Sequence, residues 1–382
     1  MGAPPRFIMD LSFSPAQQLL QQSARAFLQQ RCPLERVQEV GLDPRGFAAE
    51  LWKEIAALGW PGLLISPELG GSGGSVGEAL ALVEELGRVC FPGPFIASAV
   101  VATTALGLAG GRRARDLLSA LAMGERICTL AVLEEAGRLD PDALSLPVAA
   151  PGRLTGRKLF VRDAHVATDV IVLGRGEASP TALLLPMDRA GIGAHALDSM
   201  TGDKLFELEL ADVAIGPDDL LGVPGGGWAL LGPAFRLGAL ARCAEMVGAA
   251  HRVLELCVEH ARVRVQGGRP IGGYQAVQHA CADLFRDVES ARWLTWEAEW
   301  TLATGRPEAD SAVATAKLYV AEASLRVARR GHQIMGAIGY CEEHPLHLFH
   351  KRILAAALDA GDSTGHLETV ARSIGLPWDR PG

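Results

Sequence analysis

Aromatic residues make up only 5% of this 382-residue chain. Its core must therefore be filled mainly by small and aliphatic side chains, which favours closely packed helices. A basic excess is missing as well. The formal net charge is −8 and the pI is near 5.7, which argues against nucleic acid and anionic membrane surfaces as partners, while leaving room for a phosphate held by local arginines. The seven cysteines, at 32, 90, 128, 243, 257, 281 and 341, never fall at C-x-x-C spacing, so neither a zinc site nor a disulfide framework is indicated. They read as small hydrophobes in a reducing, cytoplasmic compartment. No apolar run is long enough to span a bilayer, and Met1–Asp10 lacks the apolar stretch of a signal peptide.

Helical spacing dominates what is there. Residues 1–124 read as an N-terminal helical domain, with Ser14-Pro15 as an N-cap followed by proline at the first helical position. Leu19, Leu20, Ala24, Phe27 and Leu28 then recur on one helical face. Over 125–222 the period changes to short runs such as Ile127–Leu133, Gly152–Val161 and Ala182–Leu185, predicting a small central β-barrel or sandwich domain. Residues 223–382 read as a C-terminal four-helix bundle, with segments at about 228–260, 275–304, 310–336 and 344–375. The fold class is α+β, mostly α.

Two glycine-rich turns stand out. Arg264-x-Gln266-x-Gly268-Arg269-Pro270-Ile271-Gly272 leads into Tyr274-Gln275 and the second bundle helix. Glycine lets backbone approach a ligand closely, and arginine presents a planar fork of donors suited to phosphate; the same composition also suits a plain inter-helix loop. Gln333-Ile334-Met-Gly336-Ala-Ile-Gly339-Tyr340 closes the third helix, either as a cofactor turn or as a simple helix C-cap. His344-x-x-His347-x-x-His350 lacks the acidic partner and common face that a metal set needs, so no metal is expected.

Together these motifs resemble the acyl-CoA dehydrogenase family, and the resemblance covers essentially the whole chain. It implies FAD as cofactor, an acyl-CoA or acyl-carrier thioester as substrate, α,β-desaturation as the reaction and an electron-transfer partner. It also implies a homotetramer or a heteromer with a homologous chain. The loop arginine and glutamine would reach the FAD of a neighbouring subunit. The cofactor set carried over is Arg264, Gln266, Gln275, Gln333, Ile334, Gly336 and Phe160, the last in Gly156-x-Lys158-x-Phe160, where the family has tryptophan.

The chain departs from the family pattern at several places. Gly267 replaces an aromatic, Arg162 stands where threonine or serine is usual, and Leu133-Glu134 lacks the flavin-facing hydroxyl of the family's Thr-Glu. Ala360 falls at the catalytic glutamate of the last turn, and Gly238 at the family's alternative base position. Three readings follow: Asp362, or less well Asp359, acts as base from a shifted turn; the chain is the non-catalytic partner in a heteromeric dehydrogenase; or the chemistry is that of a flavin oxidase or monooxygenase of the same superfamily.

Overall fold

The computed structural model describes residues 9–43 and 46–378. Six α-helices come first: α1 (Pro15–Arg31), α2 (Leu34–Leu42), α3 (Ala49–Ala57), α4 (Val76–Arg88), α5 (Thr103–Ala109) and α6 (Gly111–Ala122), with a π-helical stretch, Ile96–Ala102, running into α5. Ser14 caps α1 as expected. Its hydroxyl accepts from the Gln17 backbone N–H while the Gln17 side chain accepts from the Ser14 backbone N–H, with proline at the first position, so two orphan donors are satisfied reciprocally. Helix α2 had no counterpart in the sequence pattern described above.

Six strands follow: β1 (Cys128–Ala131), β2 (Gly152–Arg162), β3 (Asp169–Gly174), β4 (Thr181–Pro186), β5 (Ile192–Leu197) and β6 (Leu205–Ile215). They form two three-stranded sheets, β1-β3-β4 and β2-β6-β5, with β1 and β3 parallel and the remaining pairs antiparallel. The sheets stack as an open sandwich; among the described residues they do not close into a barrel. Alternation along β3 and β4 explains why both faces of that sheet are buried. Val170, Val172, Leu183 and Leu185 fill the sandwich with Leu154, Leu208 and Val213. Ile171, Leu173, Ala182 and Leu184 face the other way, into the helical core.

The last part is α7 (Gly227–Val263), α8 (Gln275–Ala303), α9 (Ala309–Met335), α10 (Leu346–Leu358) and α11 (Ser363–Ser373). The expected fourth segment is thus two helices. The chain leaves α10 at Asp359 and passes through Ala360 and Gly361, both at positive φ (57° and 98°), which α-helix cannot accommodate. Between α7 and α8, β7 (Val265–Gln266) and β8 (Arg269–Pro270) pair as a hairpin.

Helix α7 is the axis of the molecule. It packs on α4, α8, α9 and α10, and a single apolar core runs from α1 to α10 through it. The crossing with α4 is tight because glycine stands on both sides. A Cβ at Gly248 would overlap the Glu84 backbone carbonyl, and one at Gly87 would overlap that of Glu245. Gly248→Ala is therefore expected to destabilise the fold by about 2–3 kcal/mol, the range of overpacked core substitutions. Gly107→Ala on α5, where a Cβ meets nothing within 4 Å, should be neutral or slightly stabilising. Paired denaturant titrations check both.

Candidate active site

A cavity of about 1120 Å³ lies where β1, β2, the π-helical stretch and the bundle converge. That exceeds the usual single-ligand pocket of roughly 300–1,000 Å³, leaving room for a ring system and a second molecule together. The β side contributes Thr129, Val132, Leu133, Leu159 and Phe160. A register shift in β2 between Lys158 and Val161, with Phe160 at φ 56°, throws the Phe160 ring outward. It stays 47% exposed, an apolar plate facing the cavity. Glu134, where the sequence lacks the expected hydroxyl–acid pair, has a structural partner instead. It grips buried Lys158 at 2.6 Å and accepts from the Ser145 and Leu146 backbone N–H groups.

The bundle side carries the two residues that the family resemblance aligns with a base. Gly238 on α7 and Ala360 in the α10–α11 turn line the cavity, and neither presents an acid. Asp359 and Asp362 flank Ala360 there, with different duties. Asp362 Oδ1 accepts from the Gly365 N–H at 3.0 Å, the N-cap of α11. Asp359 sits between two guanidiniums, its Oδ2 2.8 Å from Arg162 Nε and 2.7 Å from Arg242 Nε. Burial alone would raise the Asp359 carboxyl, but Arg162 and Arg242 override it and hold it well below the usual carboxylate range. A carboxylate this stabilised is a poor proton acceptor near neutral pH.

Sequence reasoning missed the network behind this pair. Arg242 also binds Glu245 at 2.7 Å, Arg162 binds Asp203 at 3.3 Å, and Arg352 on α10 reaches Glu245 at 3.5 Å and the Cys90 carbonyl at 3.4 Å. Lys317, 1% exposed, donates to the Ala357 and Gly361 carbonyls at 2.8 and 3.3 Å. His366 in the first turn of α11 is within 3.1 Å of the Ala360 carbonyl oxygen. One signal was readable: Arg242 and Glu245 are isolated charges three apart inside the apolar run of α7, a spacing that pairs on one helix face.

The two glycine turns lie elsewhere. None of Arg264, Gln266, Gln275, Gln333, Ile334 or Gly336 lines the cavity. Arg330 on α9 pairs with Asp283 on α8, and Cys257 Sγ on α7 approaches the Gly331 carbonyl at 3.9 Å. The C-terminal ends of α7 and α9 and the start of α8 are therefore together, at the end of the bundle away from the cavity. Roughly 33 Å of helix separates Arg242 from Arg264 at 1.5 Å per residue. Yet the side chains of Arg264, Gln266, Gln275 and Gln333 are exposed and have no partner within the chain among the described residues. Gly268 and Gly336 hold φ of 80° and 67° with open space where a Cβ would stand, so a ligand can approach the backbone there. Gly267, in place of the family aromatic, is the other half of the hairpin turn at φ 57°. The Tyr274 hydroxyl fills the space above it and donates to the Gln266 carbonyl at 2.9 Å. His332 Nε2 meets His350 Nδ1 at 3.0 Å nearby, and no three metal-ligating side chains converge among the described residues.

Residues 14–125 match the acyl-CoA dehydrogenase N-terminal domain and residues 225–375 the acyl-CoA dehydrogenase C-terminal domain. Acyl-CoA dehydrogenase IpdE2 of Mycobacterium tuberculosis is 30% identical over 89% of this chain and 91% of its own length. The chain belongs to the acyl-CoA dehydrogenase family. Acyl-CoA dehydrogenase FadE27 of the same organism is 30% identical over 96% of this chain and 99% of its own. A chain in the crystal structure of the ChsE4–ChsE5 complex, also from M. tuberculosis, superposes with a TM-score of 0.89 at 28% identity, covering 97% of this chain and 100% of that one.

Asp359→Asn should remove about 3 kcal/mol of stability at pH 7, since it leaves Arg162 and Arg242 short of their shared anion. Because the native carboxyl titrates below its unfolded value of about 3.9, its contribution is complete above that pH and fades as pH falls through the native value. The stability gap between parent and variant, measured by urea unfolding, should accordingly be constant from about pH 5 to 7 and narrow below about pH 4.

Proposed function

We propose that this chain is a subunit of an FAD-dependent acyl-CoA dehydrogenase that desaturates an acyl thioester between its α and β carbons, in the cytoplasm, with electrons passed on to a separate acceptor protein. The observation that carries the reading is the cavity itself: both family base positions, Gly238 and Ala360, open on it opposite the Phe160 wall.

The residues present suit the cofactor. Phe160, Leu159 and Leu133 form an apolar wall for a flat ring, and the Thr129 and strand backbone atoms beside them offer polar contacts to its edge. The ribityl–phosphate–adenine portion needs donors, and the free side chains of Arg264, Gln266, Gln275 and Gln333, with the open backbone at Gly268 and Gly336, are a matching set. Arg264 lies roughly 33 Å along α7 from Arg242 in the cavity wall, so the hairpin does not serve the cavity of its own chain. A second copy, or a homologous chain, would therefore bring its turns to this cavity and offer its own in return. FAD held there would supply the acceptor for the β-hydrogen and its electron pair. The chain's own residues hold the thioester between the Phe160 wall and the α10–α11 turn, exclude water through the apolar lining of Ile96, Val101 and Val313, and must take up the α-proton. Asp362 is the acid flanking Ala360 that no ion pair among the described residues commits, and it stands as the carboxylate candidate for that step.

A second reading is supported by a specific observation. Neither base position carries an acid, and the ChsE4–ChsE5 structure is a complex of two differently named chains. In that reading this chain is the non-catalytic partner and a homologous subunit supplies the glutamate. Purifying the chain alone separates the two. We expect yellow protein whose flavin absorbance bleaches on anaerobic addition of an acyl-CoA, and an Arg264→Ala variant with several-fold lower flavin content. Yellow but inert protein, or flavin uptake only together with a homologous chain, would favour the partner reading. Protein that carries no flavin in any company would end both.

A further inference from the structure

The cavity must take up a proton, yet four of the acids that line it are held in ion pairs. Asp359 is bound by two arginines, Asp310 by Arg236 at 2.7 Å, Glu368 by Arg372 and Asp140 by Arg138. Asp362 spends one oxygen capping α11. One imidazole faces the same space: His366 is the only histidine among the described residues that line the cavity. Its ring lies on Gly361, where a built Cβ would come within 2.8 Å of Nε2, and Nε2 is 3.1 Å from the carbonyl oxygen of Ala360, the residue at the vacant base position. A carbonyl can only accept, so Nε2 carries the hydrogen and Nδ1 is left as an acceptor.

We propose that His366 is the proton acceptor of this cavity, with Nδ1 performing the step that a glutamate performs in relatives. The proposal rests on the thioester reading above. The step is balanced without a redox change. The substrate Cα–H bond breaks, an Nδ1–H bond forms, and the electron pair moves onto the thioester carbonyl as an enolate. Return of the proton restores the starting thioester. The surroundings keep the imidazole neutral and ready. Burial, then the Lys317 ammonium, push it down to about 4 against the pull of the Ala360 carbonyl and Asp362, and its place in the first turn of α11 adds the positive end of a helix dipole. Its basicity thereby becomes that of an ordinary carboxylate, about 4.3 for glutamate. Lys317 also pins the Ala357 and Gly361 carbonyls of the turn, and is a positioning residue.

The test uses the full-length, flavin-loaded protein and 3-thiaoctanoyl-CoA, whose sulfur replaces the β-carbon so that only the proton step is open. Exchange of its α-hydrogens in D2O is followed by NMR, and its binding by equilibrium dialysis. His366→Gln keeps an Nε donor for the Ala360 carbonyl and removes the acceptor nitrogen. It is expected to slow exchange at least ~100-fold, the usual lower reach of a general base, with binding retained, while Glu368→Gln exchanges within a few-fold of the parent. A His366→Gln protein that exchanges like the parent overturns the proposal, as does a parent that binds the probe without exchanging it. A parent that binds no thioester takes the functional reading down as well. Nitrogen NMR of the parent, labelled at histidine, supplies a readout independent of folding in the variant and of turnover. An Nε2–H tautomer persisting from neutral pH to about 4 is expected; an Nδ1–H tautomer, or imidazolium at neutral pH, is incompatible with the role.

Discussion

The carboxylate of Asp359, shared between Arg162 on β2 and Arg242 on α7, is the interaction on which the rest of the site depends. It joins the β-sandwich to the bundle at the floor of the cavity. Through Asp203, Glu245 and Arg352 the same network continues to the Cys90 carbonyl, so all three segments of the chain meet in one cluster of buried charge. Such a cluster is poor evidence of stability, because desolvation offsets much of the attraction. Its value is geometric. Charged hydrogen bonds are directional, and here they set how the strands carrying Phe160 face the turn carrying Ala360. An apolar floor could slide; this one has a register.

The second constraint is the length of α7. One helix reaches from the cavity, at Gly238 and Arg242, to the hairpin at Arg264, and its packing on α4, α8, α9 and α10 keeps it straight enough that the two ends cannot approach. On the reading proposed above, the exposed donors at one end and the exposed apolar wall at the other would serve as two halves of a dinucleotide site, buried only when a second chain brings them together. Family membership and the free side chains at the hairpin thus point to the same conclusion by separate routes.

Much of this was legible in the sequence, for reasons that particular residues make plain. Apolar spacing marked the helices, the Ser14-Pro15 pair marked the start of α1, and alternation from Gly152 to Val161 marked β2. Strand β5 was not legible: Ile192–Leu197 reads Ile-Gly-Ala-His-Ala-Leu, with no β-branched run beyond one isoleucine, and exists because β6 offers it an edge. Helix α2 is short and contains glycine, so its local signal is weak. In the site, the motifs Arg264–Gly272 and Gln333–Tyr340 could be read because each is contiguous. The Arg162–Asp359–Arg242 junction could not, because its members are far apart in sequence and only the fold brings them together. Asp359 was weighed as a base for the same reason: sequence shows an acid beside Ala360 but not the two guanidiniums that hold its charge.

The departures from the family pattern turn out to be linked. Arg162 stands where a hydroxyl is usual, and its guanidinium needs an anion; Asp359 supplies it from the residue next to the empty base position. The turn that follows is then held on every side, with the Asp359 side chain on arginines, the Ala357 and Gly361 carbonyls on Lys317, and the Ala360 carbonyl on His366. A glutamate introduced at 360 would enter a wall rich in fixed positive charge, which favours the ionised carboxylate and weakens it as a base. An acid in that position and an arginine at 162 work against each other. A neutral imidazole beside the same turn is the kind of base that such a wall leaves possible.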